Sequence, residues 1–143
     1  MDKIWIPPKS PHGLIQESLW PDEWKILVSC MMLNCTSRKQ VEKVLPTFFD
    51  KWPTADRLIK AETSDISEVI SSLGFKNRRA QALLKMSDAY LNNKWKDPRE
   101  LPGIGEYAAR AWEIFCQNKV GNDPPNDGAL VLYWKWKIGR AHV

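Results

Sequence analysis

Apolar residues recur along this chain with the three-and-four spacing of α-helices, and nowhere with the strict alternation of a half-buried strand. The run Glu23 to Leu33 (EWKILVSCMML) is apolar almost all round, which predicts a central, buried helix. Val41, Val44, Leu45, Phe48, Phe49 and Trp52 form the stripe of a second helix, which Pro46 either kinks or splits in two. Ile66, Val69, Ile70 and Leu73 make a short third stripe, with Gly74 as its C′ stop. Ala80, Leu83, Leu84, Ser87 and Leu91 give a fourth, and Ala108, Ala111, Trp112 and Phe115 a fifth. A last helix is expected to start near Asp127 and to carry Leu130, Val131, Tyr133 and Trp134. The pattern predicts an all-α fold without internal repeats or linkers, a single compact helical domain over residues 1–143.

Composition narrows this picture only a little. Hydrophobic residues make up 43% and charged residues 27%, the balance of a globular chain rather than a disordered one. A net charge of +4 and a pI near 9.0 suit a polyanionic partner, but an ordinary solvated surface equally well. No apolar run reaches the roughly 18 residues of a membrane span, and Ile4-Trp5-Ile6-Pro7-Pro8 is too short and proline-broken for a signal peptide. Cys30, Cys35 and Cys116 show neither a zinc spacing nor a disulfide framework, and an iron–sulfur cluster in its usual form takes four cysteine ligands. A reduced, intracellular protein without metal or cofactor is the expectation, with Cys30 and Cys116 filling core. Of the eight tryptophans, Trp24, Trp52 and Trp112 fall where a helical core needs them rather than where bases would stack. Trp5, Trp20 and Trp95 flank prolines or loops and are expected to staple ends against the body.

The segment Leu101-Pro102-Gly103-Ile104-Gly105-Glu106-Tyr107-Ala108-Ala109 carries the sharpest chemical signal. L-P-G-I-G running straight into a helix is the sequence form of a helix-hairpin-helix DNA clamp. The glycines let the backbone turn tightly and present N–H groups to a phosphate, and the new helix points its positive end at the same anion. A plain turn before a helix is the competing reading of the pentapeptide. A Rossmann phosphate loop fits poorly, because no β-rich run precedes the glycines and Ala108 stands where the third glycine of G-x-G-x-x-G belongs.

Longer stretches extend the signal: WIPPKSPHGLIQESL (Trp5 to Leu19), WKILVSCMMLNCTS (Trp24 to Ser37), LGFKNRRA (Leu73 to Ala80), KWKDPRELPGIGEY (Lys94 to Tyr107) and WEIFC (Trp112 to Cys116). Over roughly residues 5 to 136 the chain resembles the helix-hairpin-helix DNA glycosylase superfamily, and most closely the glycosylase domains of the methyl-CpG-binding-domain protein 4 family. The resemblance implies the helix-hairpin-helix glycosylase fold and a nuclear, monomeric repair enzyme acting on double-stranded DNA. Its substrate would be thymine or uracil mispaired with guanine, typically at CpG, where cytosine or 5-methylcytosine has deaminated.

By that resemblance Asp127, in Pro125-Asn126-Asp127-Gly128, matches the catalytic aspartate, whose carboxylate stabilises the oxocarbenium ion or orients the attacking water. Read locally, an Asp after Pro-Asn is also an ordinary helix N-cap, and the two roles are compatible. Tyr107 stands where bifunctional relatives carry a Schiff-base lysine, so hydrolysis without strand cleavage is implied, with Tyr107 lining the base pocket; packing on the clamp helix is its plainer role. Gln16 matches the glutamine that hydrogen-bonds the extruded pyrimidine. Phe75 occupies the position of the apolar wedge, against which stands a capping contact back onto the third helix. Leu101, Gly103, Ile104 and Gly105 supply the clamp.

Departures from the family pattern cut the other way. Cys35 stands where the family generally has the arginine that fills the hole left by the flipped nucleotide, Gly128 replaces a histidine, and Ala129 a lysine at the DNA backbone. Arg110 lies where relatives often carry an acidic residue, and the tail at about 138–143 is unlike the family's terminal helix. A catalytically impaired DNA-binding domain of the same fold is therefore the main alternative. An adenine or oxidised-purine glycosylase and a helical protein-interaction domain are more distant ones.

Overall fold

The computed structural model describes Leu19, residues 22–34 and residues 36–116. Six α-helices and two 3-10 turns make up the described part: α1 (Glu23–Leu33), α2 (Arg38–Lys51), α3 (Ala55–Leu58), α4 (Thr63–Val69), a 3-10 turn at Ser71–Leu73, α5 (Lys76–Asn92), a second at Pro98–Glu100, and α6 (Glu106–Cys116). Among the described residues there is no strand, and none of the helices is long and apolar enough to cross a membrane. The helix expected from Asp127, Trp5, Trp20 and the tail at 138–143 lie outside the described residues.

Helix α1 is the central element that its all-round apolar sequence predicts. Trp24, Ile26, Leu27, Val28, Cys30 and Met32 are all buried, and the helix packs against α2, α5 and, most extensively, α6. Its start is fixed by Asp22, whose carboxylate accepts from the Lys25 amide at 3.0 Å. Ser37 and Thr54 cap α2 and α3 in the same way, each at 3.3 Å. Buried polar groups are matched rather than avoided: the Trp24 indole N–H donates to Ser87 Oγ at 2.9 Å, and the Ser29 hydroxyl donates to the Ile26 carbonyl. Trp52 and Trp112 are buried as well, and half-buried Trp95 lies between Tyr90 and Trp112, donating its indole N–H to the Tyr90 carbonyl.

Two details differ from the sequence reading. Helix α2 runs unbroken through Pro46, so the split does not occur. Pro46 lies on the exposed side of α2, where water can take over the carbonyl that the missing N–H leaves open, while Val41, Val44, Leu45 and Phe48 hold the opposite side in the core. The third stripe is two elements rather than one, α4 and then a 3-10 turn ending at Gly74, whose φ of +80° a residue with a Cβ adopts only with strain.

Candidate functional site

The hairpin is built from the capping box inward. Asp97 accepts from the Arg99 amide at 2.9 Å, and Glu100 reaches back to the amides of Lys96 and Asp97, at 2.7 and 2.9 Å. Those two backbone N–H groups hold the Glu100 carboxyl below its usual range. The chain then turns between Leu101 and Ile104, whose amide returns to the Leu101 carbonyl at 3.3 Å. Pro102 and Gly103 occupy the central positions, with Gly103 at φ +80°, the residue order and dihedral of a type II turn. Leu101 and Ile104 are buried anchors, so what they offer a ligand is backbone. Among the described residues the amides of Gly103, Gly105 and Glu106 have no hydrogen-bond acceptor. They lie at the start of α6, where the helix dipole favours an anion.

This hairpin borders a groove of about 810 Å³ that also takes in Met31 and Asn34 from the end of α1, Phe75, Arg78 and Arg79 from the start of α5, and Tyr107. The fold thus brings Phe75, from a distant part of the sequence, to one surface with Gly103, Ile104, Gly105 and Tyr107. Tyr107 is half-buried on its wall. Leu101 stays behind it in the core. Gln16, Cys35, Asp127, Gly128 and Ala129 lie outside the described residues.

Phe75 is 74% exposed, whereas a capping contact onto the third stripe would have buried it. Its backbone is left-handed, φ 48° and ψ 40°, an uncommon and costly state for a bulky aromatic, and no side chain caps α5 there. The exposed ring thus stands on a strained turn at the rim of the groove.

Arg99 binds Asp97, Glu106 and Glu113, and Arg110 shares Glu113 at 2.7 Å; of these carboxylates, Glu106 also borders the groove. These carboxylates hold Arg99 firmly protonated, and Arg99 in turn holds the Glu106 carboxyl below its usual range. On the groove side Arg78 is exposed, and among the described residues it has no carboxylate partner. Among the described residues no group of His, Cys, Asp and Glu is arranged to hold a metal ion.

Arg79 is the residue that sequence reasoning passed over. Its guanidinium donates to the carbonyls of Met31, Met32 and Asn34 and to Thr36 Oγ1. A signal for it exists in the sequence: α1 ends without a basic residue in its last turn or a glycine stop, so its final carbonyls need a donor from elsewhere.

Comparison with known proteins agrees with this architecture. A family model described as "HhH-GPD superfamily base excision DNA repair protein" matches residues 28–135. The chain is 36% identical over 135 residues to a methyl-CpG-binding domain protein 4-like protein of Arabidopsis thaliana, covering 94% of this chain and 30% of that one. It is 34% identical over 95 residues to a thymine/uracil-DNA glycosylase of Pyrobaculum aerophilum, covering 62% of this chain and 41% of that one. The chain therefore spans less than half the length of either relative. The solved structure of a thermostable thymine-DNA glycosylase superposes with a TM-score of 0.66 at 24% identity, over 72% of this chain and 51% of that one, a likeness of fold. With the hairpin, the all-helical core and these matches in agreement, the chain belongs to the HhH-GPD superfamily of base excision DNA repair proteins.

Proposed function

We propose that the chain is a monofunctional DNA glycosylase that hydrolyses the N-glycosidic bond of thymine or uracil mispaired with guanine in double-stranded DNA. The observation that carries the reading is the groove itself, where a hairpin whose amides have no acceptor among the described residues, an exposed strained Phe75 and Tyr107 share one surface. The amides of Gly103, Gly105 and Glu106 suit a backbone phosphate. Phe75 suits insertion beside a vacated base, with the partial unstacking of the duplex that such wedges cause. Relatives named as thymine or uracil glycosylases favour a pyrimidine substrate.

In this reading Gln16 recognises the O2/N3/O4 edge of the extruded base, and Tyr107 lines its pocket. Asp127 stabilises the positive charge that develops on the deoxyribose and orients water at the sugar carbon. The phenol of Tyr107 has no amine to form a Schiff base, so the product is an abasic site in an intact strand. A CpG context, a nuclear location and a monomeric state belong to the same proposal. The second reading, a DNA-binding domain with impaired catalysis, is favoured by Cys35, Gly128 and Ala129, each of which departs from the family pattern.

The test is incubation of the chain with labelled duplexes carrying T:G, U:G or an adenine mispair, with Asp127→Asn as control, followed by alkali. Strand scission only after alkali, on T:G or U:G and only with the unaltered chain, is the expected result. Mismatch binding without product would select the impaired reading, and product from the adenine duplex alone would replace the pyrimidine assignment.

A further inference from the structure

Arg79 lies on the first turn of α5, four residues after Phe75, whose carbonyl accepts from the Arg79 amide at 2.9 Å. Its half-buried side chain turns away from α5 toward the end of α1. Nη1 donates to the carbonyls of Met31 and Met32, at 3.3 and 3.0 Å. Nη2 donates to the Asn34 carbonyl at 2.7 Å and to Thr36 Oγ1 at 2.6 Å. All four partners are neutral, and Arg79 makes no ion pair with a carboxylate among the described residues. The guanidinium thus serves as the C-terminal cap that α1 lacks, and it grips the chain on both sides of position 35 with a single nitrogen.

This arrangement bears on Phe75. The ring is exposed, so the backbone of the turn that carries it is what sets its direction for the most part. That turn is joined to Asn34 and Thr36 through Arg79, and Asn34, Phe75 and Arg79 all border the groove. We propose that Arg79 is a positioning residue for base extrusion: one guanidinium holds the Phe75 turn in fixed register with Asn34 and Thr36, so that Phe75 enters the duplex from a fixed place. The proposal rests on the glycosylase reading above. Lysine at this position keeps the charge but offers a point contact in place of a planar fork, and cannot reach the Met31 carbonyl and Thr36 Oγ1 at once.

The experiment uses the full chain and the variants Arg79→Lys and Thr36→Val. Single-turnover excision on a T:G duplex is measured beside fluorescence of a 2-aminopurine next to the mispair, affinity for an undamaged duplex, and Tm. Arg79→Lys is expected to lower the single-turnover rate constant about tenfold or more and to reduce the fluorescence rise, with undamaged-duplex affinity within about twofold. Thr36→Val, which removes one of the four acceptors, falls between it and the unaltered chain. A merely structural role would lower Tm and the active fraction without changing the rate constant of the active molecules, and that result overturns the proposal. So does an unaltered rate and fluorescence rise in Arg79→Lys. If the unaltered chain extrudes but does not cleave, the catalytic reading falls while the fluorescence still decides the role of Arg79; if it does not extrude, both fall.

Discussion

Arg99 closes a two-pronged ion pair on Glu106, the first residue of α6, with Nε 2.7 Å from Oε1 and Nη2 3.1 Å from Oε2. The pair places a neutralised carboxylate beside amides that an incoming phosphate would use. Without Arg99, the anion nearest to those amides is the protein's own. Glu106→Gln is expected to raise duplex affinity and Arg99→Gln to lower it, each by roughly threefold at low salt and less at high salt. Fluorescence anisotropy titrations between 50 and 200 mM salt, on the order of the range over which phosphate contacts weaken, decide it. Equal affinities for the two variants would remove the hairpin from the phosphate contact.

Phe75 combines a cost to folding with a proposed gain to function. Its left-handed backbone costs a side chain about 1–2 kcal/mol, and at 74% exposure the ring returns little by burial. Glycine relieves that strain, against roughly 0.5–1 kcal/mol of added chain entropy. Phe75→Gly is therefore expected to unfold in urea at or above the concentration of the unaltered chain, while its mismatch excision falls by about tenfold or more. A clear drop in the urea midpoint would mean that the ring packs in solution, and retained excision would end its role as a wedge.

The two hairpin glycines are expected to behave differently. At Gly103 a Cβ would stand 3.0 Å from Met31 Cε, a flexible end that can shift, but the backbone at φ +80° strains any side chain, so Gly103→Ala should cost about 1–2 kcal/mol of stability. At Gly105 a Cβ meets nothing within 4 Å, and Gly105→Ala should fold as before. Its methyl group would still stand beside an approaching phosphate, so duplex affinity should fall for both variants. Gly105→Ala with unaltered affinity would show that the phosphate does not come close to that residue.

The helices were largely legible because burial imposes a period. Glu23 to Leu33 shows its central place through apolar residues on every side, and Ala108, Ala111, Trp112 and Phe115 mark the inner face of α6. Ala55–Leu58 was not legible, since four residues are too few to show a period and only the Thr54 cap announces them. Pro46 was misjudged as a possible break because a pattern weighs residue type and not which side faces water. At the site, Pro102-Gly103 fixes its own turn and so could be read directly. Arg79 acts through three carbonyls and a hydroxyl 43 to 48 residues away, a partnership that no local spacing encodes. The roles of Gln16 and Asp127 came from family resemblance alone.

Alkaline pH should expose a further property of the core. Burial, with Glu23 nearby as a lesser cause, pushes the Cys116 thiol from its ordinary 9.0 up to about 12. Burial followed by Glu23 and Asp22 pushes Tyr90 from 10.0 to about 12. In both cases the folded protein keeps a proton that the unfolded chain releases earlier. The associated stability is therefore fully present below pH 9 and is lost as the pH climbs through 10 toward 12. Urea midpoints taken at intervals from pH 8 to about 11 should stay level at first and then fall, and Cys116→Ala should fall less steeply. An equally steep decline in Cys116→Ala would show that the thiol contributes nothing to the loss, and that Tyr90 dominates it.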